Sequence, residues 1–388
     1  MFISSKTFFW LILMTLCFEI VIRLLIVLRK NSYKLPDQPS FYIANTSKEL
    51  FAKMVYDDYI TDFNERETFF LNLQDAHNEI GNKIAEGKEF RSRFINFRNG
   101  ERDTMPEPVT VENDFLVFGG STVLCLEVPD DLTLPSQIQR RFVQLGIKTR
   151  VHNYGRGGKK IGKVETLIDG AVKKHPRTTK IVLYFGYNDV GWLGGQNPRN
   201  FVSACIDRIF GFLSALYIAR LIDLLVKVIR VRNSSKRYTR SNLEFFKYLK
   251  EKYAKNGIDV YFFLQPLILT KEKLSLLEKS WLISDPLFLT GIRAGYTTYL
   301  SEGRDIVVSM IGILDSFENT LFVDNCHLGP LGNHFVARGI VDLVTNMQKE
   351  FGKQSIFSRN IPRINCLAAI RRTSGKLVDE NPYMYPLF

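Results

Sequence analysis

With 388 residues, 45% of them hydrophobic and 13% aromatic, the chain can bury a sizeable core, which excludes a disordered or fibrous protein. A net charge of +12 and an isoelectric point near 9.3 suit an anionic partner, but no nucleic-acid-binding motif accompanies them, so a membrane surface is expected and nucleic acid is not. Cys17, Cys125, Cys205, Cys326 and Cys366 form an odd, scattered set with neither zinc nor thiol-redox spacing.

Residues 8–28 are a nearly continuous apolar run of about the length that spans a bilayer as a helix. Glu19 and Arg23 interrupt it at i and i+4, where they can pair on one helix face. No Ala-x-Ala-like cleavage site follows, so residues 1–30 are expected to be a transmembrane anchor and not a removed signal peptide. Arg29, Lys30 and Lys34 outweigh Lys6 across the run, and charge counting alone would keep the body in the cytoplasm. Residues 31–113 are polar and charge-rich, with helical character over 48–94. They read as a spacer or an accessory layer.

From residue 114 strand and helix signals alternate. Apolar runs at 115–118, 149–152, 180–185, 258–264 and 320–323 read as buried strands. Leu134, Ile138, Phe142 and Leu145 fall at helical spacing behind Pro135 and ahead of Gly146. Ile161, Val164, Ile168 and Val172 repeat the pattern before Pro176. Ser241-Asn242-Leu243-Glu244 is a capping box that predicts a helix start, with Asn256-Gly257 as its stop. Val336, Ile340, Leu343, Val344 and Met347 share one face of a last helix. The alternation predicts an α/β fold of three layers, αβα, around a central parallel sheet.

One segment breaks the rhythm. Over residues 194–240, Phe210, Leu213, Tyr217, Leu221, Leu224, Val228 and Val231 form an apolar stripe, with Arg220, Lys227, Arg230, Arg232, Lys236, Arg237 and Arg240 beside it against Asp223. Such a helix suits a membrane interface, a lid, or a cover for the domain's own core. Asn45-Thr46-Ser47 and Asn233-Ser234-Ser235 match the glycosylation sequon.

Four short blocks carry the chemistry: Gly119-Gly120-Ser121-Thr122, Asn153-Tyr154-Gly155-Arg156-Gly157-Gly158, Gly186-Tyr187-Asn188-Asp189 and Asp324-Asn325-Cys326-His327. Each follows a predicted strand, and ligand sites in open parallel sheets lie beyond the carboxyl ends of strands. Taken singly, each has an ordinary reading. The glycines serve turns, Ser121 or Asp324 caps a helix, Asn188 makes a turn, and His327 is structural as His77, His152, His175 and His334 are. Those readings do not predict the order or the strand contexts. Together the blocks offer a nucleophile, oxyanion donors, a base and a group to orient it. Cys326 sits beside His327, but chain neighbours point apart, so Ser121 is the better nucleophile.

In this order the blocks resemble the SGNH, or GDSL-type, hydrolase superfamily over residues 114–351. The resemblance implies a flavodoxin-like parallel sheet, Ser121 as nucleophile, His327 as general base and Asp324 as its orienting carboxylate. It implies an oxyanion hole from the Ser121 N–H, the Gly155 N–H and the Asn188 side chain, with no metal or organic cofactor. Two departures stand out: Gly-Gly-Ser-Thr replaces the better-known Gly-Asp-Ser-Leu, and Lys159-Lys160 follows the glycine block, where it reads either as favouring an anionic substrate or as a solvated helix start. Anchored members of the superfamily act on envelope or secretory substrates, which places the catalytic body on the extracytoplasmic side. The expectation is a membrane-anchored esterase acting on an acylated glycan or lipid, such as an O-acetyl ester. An acyltransferase using the same acyl-enzyme and a non-catalytic envelope-assembly or binding protein are the alternatives. Residues 352–388 read as a C-terminal tail, and nothing fixes the oligomeric state.

Overall fold

The computed structural model describes residues 88–190, 217–282 and 285–345, together with positions 10, 14, 17, 19 and 20. The spacer up to residue 87, the first part of the 194–240 insertion, the C-terminal tail and most of the apolar run at 8–28 lie outside the described residues. Among the described residues, no helix is long and apolar enough to cross a membrane.

The sheet has eight strands: β1 (Phe90–Arg91), β2 (Asn96–Arg98), β3 (Glu101–Arg102), β4 (Asn113–Gly119), β5 (Thr149–Gly155), β6 (Thr178–Phe185), β7 (Asp259–Leu264) and β8 (Val307–Ser309). Their order is β1-β2-β3-β5-β4-β6-β7-β8. The last five in that order are mutually parallel, with Phe115 opposite Val151 and Lys180. From β4 onward the order is the flavodoxin-like 2-1-3-4-5. β1, β2 and β3 are antiparallel and join through Arg102 opposite Asn153. The sheet therefore begins before residue 114, and the helical character read over 48–94 gives way to strand at Phe90–Arg91.

Strand alternation sends successive residues to opposite faces. Phe115 and Val117 of β4 enter one apolar cluster, and Leu116 and Phe118 enter the other. The first face is covered by α2 (Leu134–Gln144) and α8 (Pro330–Val344), through Ile138, Phe142, Val336 and Ile340. The second is covered by α3 (Glu165–Lys174), α5 (Tyr217–Ala254) and α7 (Pro286–Glu302), through Ile168, Leu249, Ile292 and Tyr299. Three short helices, α1 (Ser121–Leu124), α4 (Tyr187–Val190) and α6 (Leu276–Ser280), fill the turns.

Two expectations are corrected. Residues 320–323 are no strand: Phe322 makes an isolated bridge to Leu328, and the sheet's last position goes to Val307–Ser309, too short to give a periodic signal. The capping box at Ser241 opens nothing, because α5 runs unbroken through it for 38 residues, and buried Asn242 donates instead to Tyr299 Oη at 2.8 Å. From Val231 onward α5 covers the core, with Leu243, Phe246, Leu249 and Tyr253 buried. Ahead of Val231, Ile222, Leu225 and Ile229 remain exposed. The Asn233 sequon falls inside this helix, with Ser235 buried and donating to the Gly291 carbonyl at 2.7 Å.

Candidate active site

Ser121 opens α1 one residue after β4, so its N–H is one of the helix's first donors, which have no partner within the helix. Gly120 precedes it because a side chain there would meet the Asn188 amide nitrogen at 2.5 Å. The close approach brings Asn188, from α4 after β6, against the nucleophile's turn. Asn188 Nδ2 donates to the Lys159 carbonyl over a long 3.4 Å, which leaves amide hydrogen-bonding capacity for a ligand.

The candidate acid–base pair, Asp324 and His327, lies on the loop ahead of α8. Asp324 Oδ2 and His327 Nδ1 are 2.6 Å apart, and Asp324 Oδ1 accepts from the backbone N–H groups of Cys326 at 2.8 Å and His327 at 2.7 Å. Both side chains are part-exposed, His327 at 21% and Asp324 at 33%. Burial pushes the Asp324 carboxyl upward. The His327 charge and the hydrogen bonds from His327 and Cys326 together overcome it and hold the group down at about 2. Burial likewise works against protonated His327, but Asp324, Cys326 and Glu127 around it raise its pKa well above the ordinary value. With Nδ1 engaged by Asp324, Nε2 is the nitrogen left to act as a base. Cys326 is buried, its thiol pushed up to about 12, so at neutral pH it is an unreactive thiol. Among the described residues, no hydrogen bond joins Ser121 to His327; apo catalytic contacts often tighten only with substrate.

Gly155 requires a correction. Its N–H donates to Asn153 Oδ1 at 2.9 Å and so is already engaged, while a side chain there would meet Leu124 N at 2.1 Å. The glycine allows β5 to touch α1. On the loop that follows, the Gly157 and Gly158 N–H groups find no acceptor among the described residues. Gly158 holds φ +65°, and the next carbonyl, Lys159, is the one that meets Asn188. The Lys159 side chain is half-buried, its pKa lowered by burial and by Arg156 and Lys163.

Three side chains support the turns around these residues, and of them only Asn153 belongs to a block singled out in the sequence. Arg102, almost fully buried on β3, donates to the carbonyls of Leu124 at 2.5 Å, Val128 at 2.6 Å and Cys125, and pairs with Asp130 at 2.8 Å. Asn153 Nδ2 takes the Val123 carbonyl at 3.0 Å. The end of the nucleophile's helix, where carbonyls lack helical partners, is thus closed by side chains from β3 and β5. On the other side Glu278, fully buried, accepts from the N–H groups of Leu321 at 2.9 Å and Phe322 at 3.1 Å and pairs with Lys271 at 2.6 Å. The contacts of Arg102, Asn153 and Glu278 with backbone groups link residues more than twenty positions apart, so spacing could not reveal them.

No family model matches the chain, and no curated protein does. Among solved structures, it is similar to an acetyl xylan esterase, at 16% identity and a TM-score of 0.38 over 60% of this chain and 99% of the other. A lipase/acylhydrolase from Enterococcus faecalis gives 11% and 0.35 over 61% and 96%. An acetyl xylan esterase from Geobacillus stearothermophilus gives 14% and 0.35 over 60% and 94%. At such distances function is read from the site. The blocks at Ser121, Asn153 to Gly158 and Asn188 come at the carboxyl ends of the parallel strands β4, β5 and β6, and the Asp324 to His327 block lies on the loop ahead of α8.

Proposed function

We propose that the chain is a membrane-anchored serine esterase of the SGNH type, acting on acyl esters of a glycan or lipid. The observation that supports this best is the Asp324–His327 pair at 2.6 Å, with Nε2 left over, beside the placement of Ser121 and Asn188 just after the parallel strands β4 and β6. A serine hydroxyl is too weak an acid to attack unaided, and an imidazole fixed by a carboxylate is the group that can take its proton. Ser121 Oγ attacks the ester carbonyl as His327 Nε2 accepts the hydroxyl proton. The tetrahedral oxyanion is held by the Ser121 N–H, the Asn188 amide and the Gly158 N–H, which replaces Gly155 as the third donor. His327 then protonates the departing alkoxide and activates the water that releases the acid.

The anchor reading rests on the apolar run at 8–28 and gains support from exposed Ile222, Leu225 and Ile229 on α5, next to Lys227. We place the catalytic body on the extracytoplasmic side. A reporter fused after residue 388 and probed with protease in sealed vesicles tests this, and protection expected of a cytoplasmic body would reverse it.

Purified protein should release acetate from an O-acetylated sugar, and Ser121→Ala should release none. Acetate appearing on an acceptor glycan without release to water would make the chain an acyltransferase. Asn188→Ala should lower kcat by about 10²–10³-fold, equal to about 2.7–4 kcal/mol. After phosphonylation of Ser121 the Gly158 amide proton should shift in the NMR spectrum; a shift at Gly155 alone would return that role to Gly155.

A further inference from the structure

Where the antiparallel strands join the parallel sheet, a second polar cluster is left unused by ester chemistry. Glu101 of β3, His152 of β5 and His175, which ends α3, converge with ligand atoms all within 4.8 Å of one another. Glu101 Oε2 lies 2.7 Å from His152 Nδ1, and Oε1 lies 3.0 Å from His175 Nε2. The side chains are only 11–15% exposed, and the two imidazoles stack at 3.7 Å.

We propose that Glu101, His152 and His175 form a binding site for a zinc-class divalent transition-metal ion that ties the antiparallel edge of the sheet to the catalytic core. Two imidazoles and a carboxylate are the donor set such an ion takes in tetrahedral sites with an open position. Tetrahedral ligands at about 2.0–2.1 Å from one ion lie about 3.3–3.4 Å apart, so the 2.7 Å and 3.0 Å contacts open by less than about an ångström and the remaining separation closes by at most about 1.5 Å. The second observation is the surroundings of His152. Its other ring nitrogen, Nε2, lies 3.2 Å from Asp114 Oδ1, and Asp114 is itself held by Arg177 at 3.3 Å. A carboxylate behind a ligating histidine fixes the tautomer and ring orientation, which a metal site needs and a simple ion pair does not.

Three groups now compete for one oxygen of Glu101: His175, the Tyr154 hydroxyl at 2.9 Å and the Lys174 ammonium. Lys174 is 42% exposed and can swing into solvent when a cation takes its place. A cavity of about 170 Å³, lined by Arg98, Glu101, Arg102, Arg150, His152 and Lys174, opens onto the cluster. Its arginines are matched by carboxylates: Arg98 with Asp103, Arg102 with Asp130 and Arg150 with Glu107. Loading therefore exchanges the ammonium for the metal without stacking new charge on free cations.

Cobalt(II) titration of the full-length protein tests the site through visible d–d absorption. One equivalent should bind with a nitrogen and oxygen spectrum free of sulfur charge-transfer bands, and should raise the melting temperature. His175→Ala and His152→Ala should abolish the bands, whereas His327→Gln, which breaks the other trio of Asp324, Cys326 and His327, should leave them intact. Asp114→Asn should weaken binding about 10–100-fold. Lys174→Gln should tighten it by removing the competing ammonium, the reverse of its effect on a purely structural ion pair. Failure of the unmodified protein to bind cobalt, bands that follow His327 and not His175, or weaker binding in Lys174→Gln would each overturn the site. The first outcome does not depend on any variant folding.

Discussion

On the nucleophile side, the carbonyls that end α1 are gathered by cationic and amide donors, Arg102 from β3 and Asn153 from β5. On the base side, two consecutive backbone amides ahead of Asp324 are gathered by an anionic acceptor, Glu278 from α6. Each buried charge has a counter-ion, Asp130 for Arg102 and Lys271 for Glu278. Short irregular backbone inside a fold must have its polar groups satisfied, because an orphaned buried group costs about 1–3 kcal/mol. The charge that serves is set by what the turn leaves over: carbonyls after a helix, amides before a loop. The two sides also differ in what ties them. The turn that carries Ser121 is tied by side chains from β3 and β5, whereas the loop that carries His327 is tied largely by backbone, with the Val323 N–H on the His327 carbonyl at 2.9 Å, the Gly329 N–H on the Leu321 carbonyl at 2.8 Å and the Ile268 N–H on the Asn325 carbonyl at 3.2 Å.

The largest expected effect separates the chemistry from this framework. Asp324→Asn should lower kcat by on the order of 10⁴-fold, measured on an acetyl ester, because the amide disrupts the tautomer that leaves Nε2 basic. A loss below tenfold would mean that the base loop does not depend on this pair. Next, Glu278→Ala should destabilise the fold by about 3–5 kcal/mol in urea melts, since it leaves Lys271 buried without its partner and frees two amides. Hydrogen exchange should then speed up at Leu321 and Phe322 and stay slow at Val123. Equal acceleration at both sites would erase the distinction between two sides held by separate partners. Arg102→Met should show the opposite pattern.

A smaller effect lies in pH dependence. Asp324 raises the His327 pKa well above the ordinary histidine value, and only neutral imidazole can accept the proton. The rate should therefore climb with pH through a midpoint above about 6.5. Asp324→Asn should move that midpoint down. The smallest effect concerns Asp189, next to Asn188 and fully buried. Burial raises its carboxyl to about 7, against the pull of hydrogen bonds from Ile161 and Gly186. The folded pKa lies above the unfolded one, so the folded state binds more protons between about pH 4 and 7 and stability falls over that interval. Asp189→Asn keeps an acceptor for the Ile161 N–H, 3.0 Å away, and should raise the melting temperature above pH 7 with little change near pH 4.

Much of the parallel core was legible in the sequence because its strands are buried on both faces and read as apolar runs, as at Ile181 to Phe185. The candidate blocks at Ser121, Asn153 to Gly158 and Asn188 were legible because chemistry requires particular residue types at strand ends, whereas the segment before Asp324 read as a strand and forms only an isolated bridge. The antiparallel edge was not, since β1 and β3 have two residues each and show no period. The start of α5 was misplaced because a local capping signal at Ser241 lost to tertiary packing of one continuous helix. Gly155 was assigned to the oxyanion hole on its block alone, whereas its N–H is taken by a side chain two residues away. Side-chain-to-backbone competition of that kind depends on rotamers, which spacing does not encode.

The central claim is that Ser121 is a nucleophile activated by His327. Intact-mass measurement after exposure to a fluorophosphonate tests it most directly. The account predicts one phosphonyl adduct per chain, mapped to Ser121, absent in Ser121→Ala and slowed severely in His327→Gln. An unmodified mass, or an adduct that persists in Ser121→Ala, would contradict it.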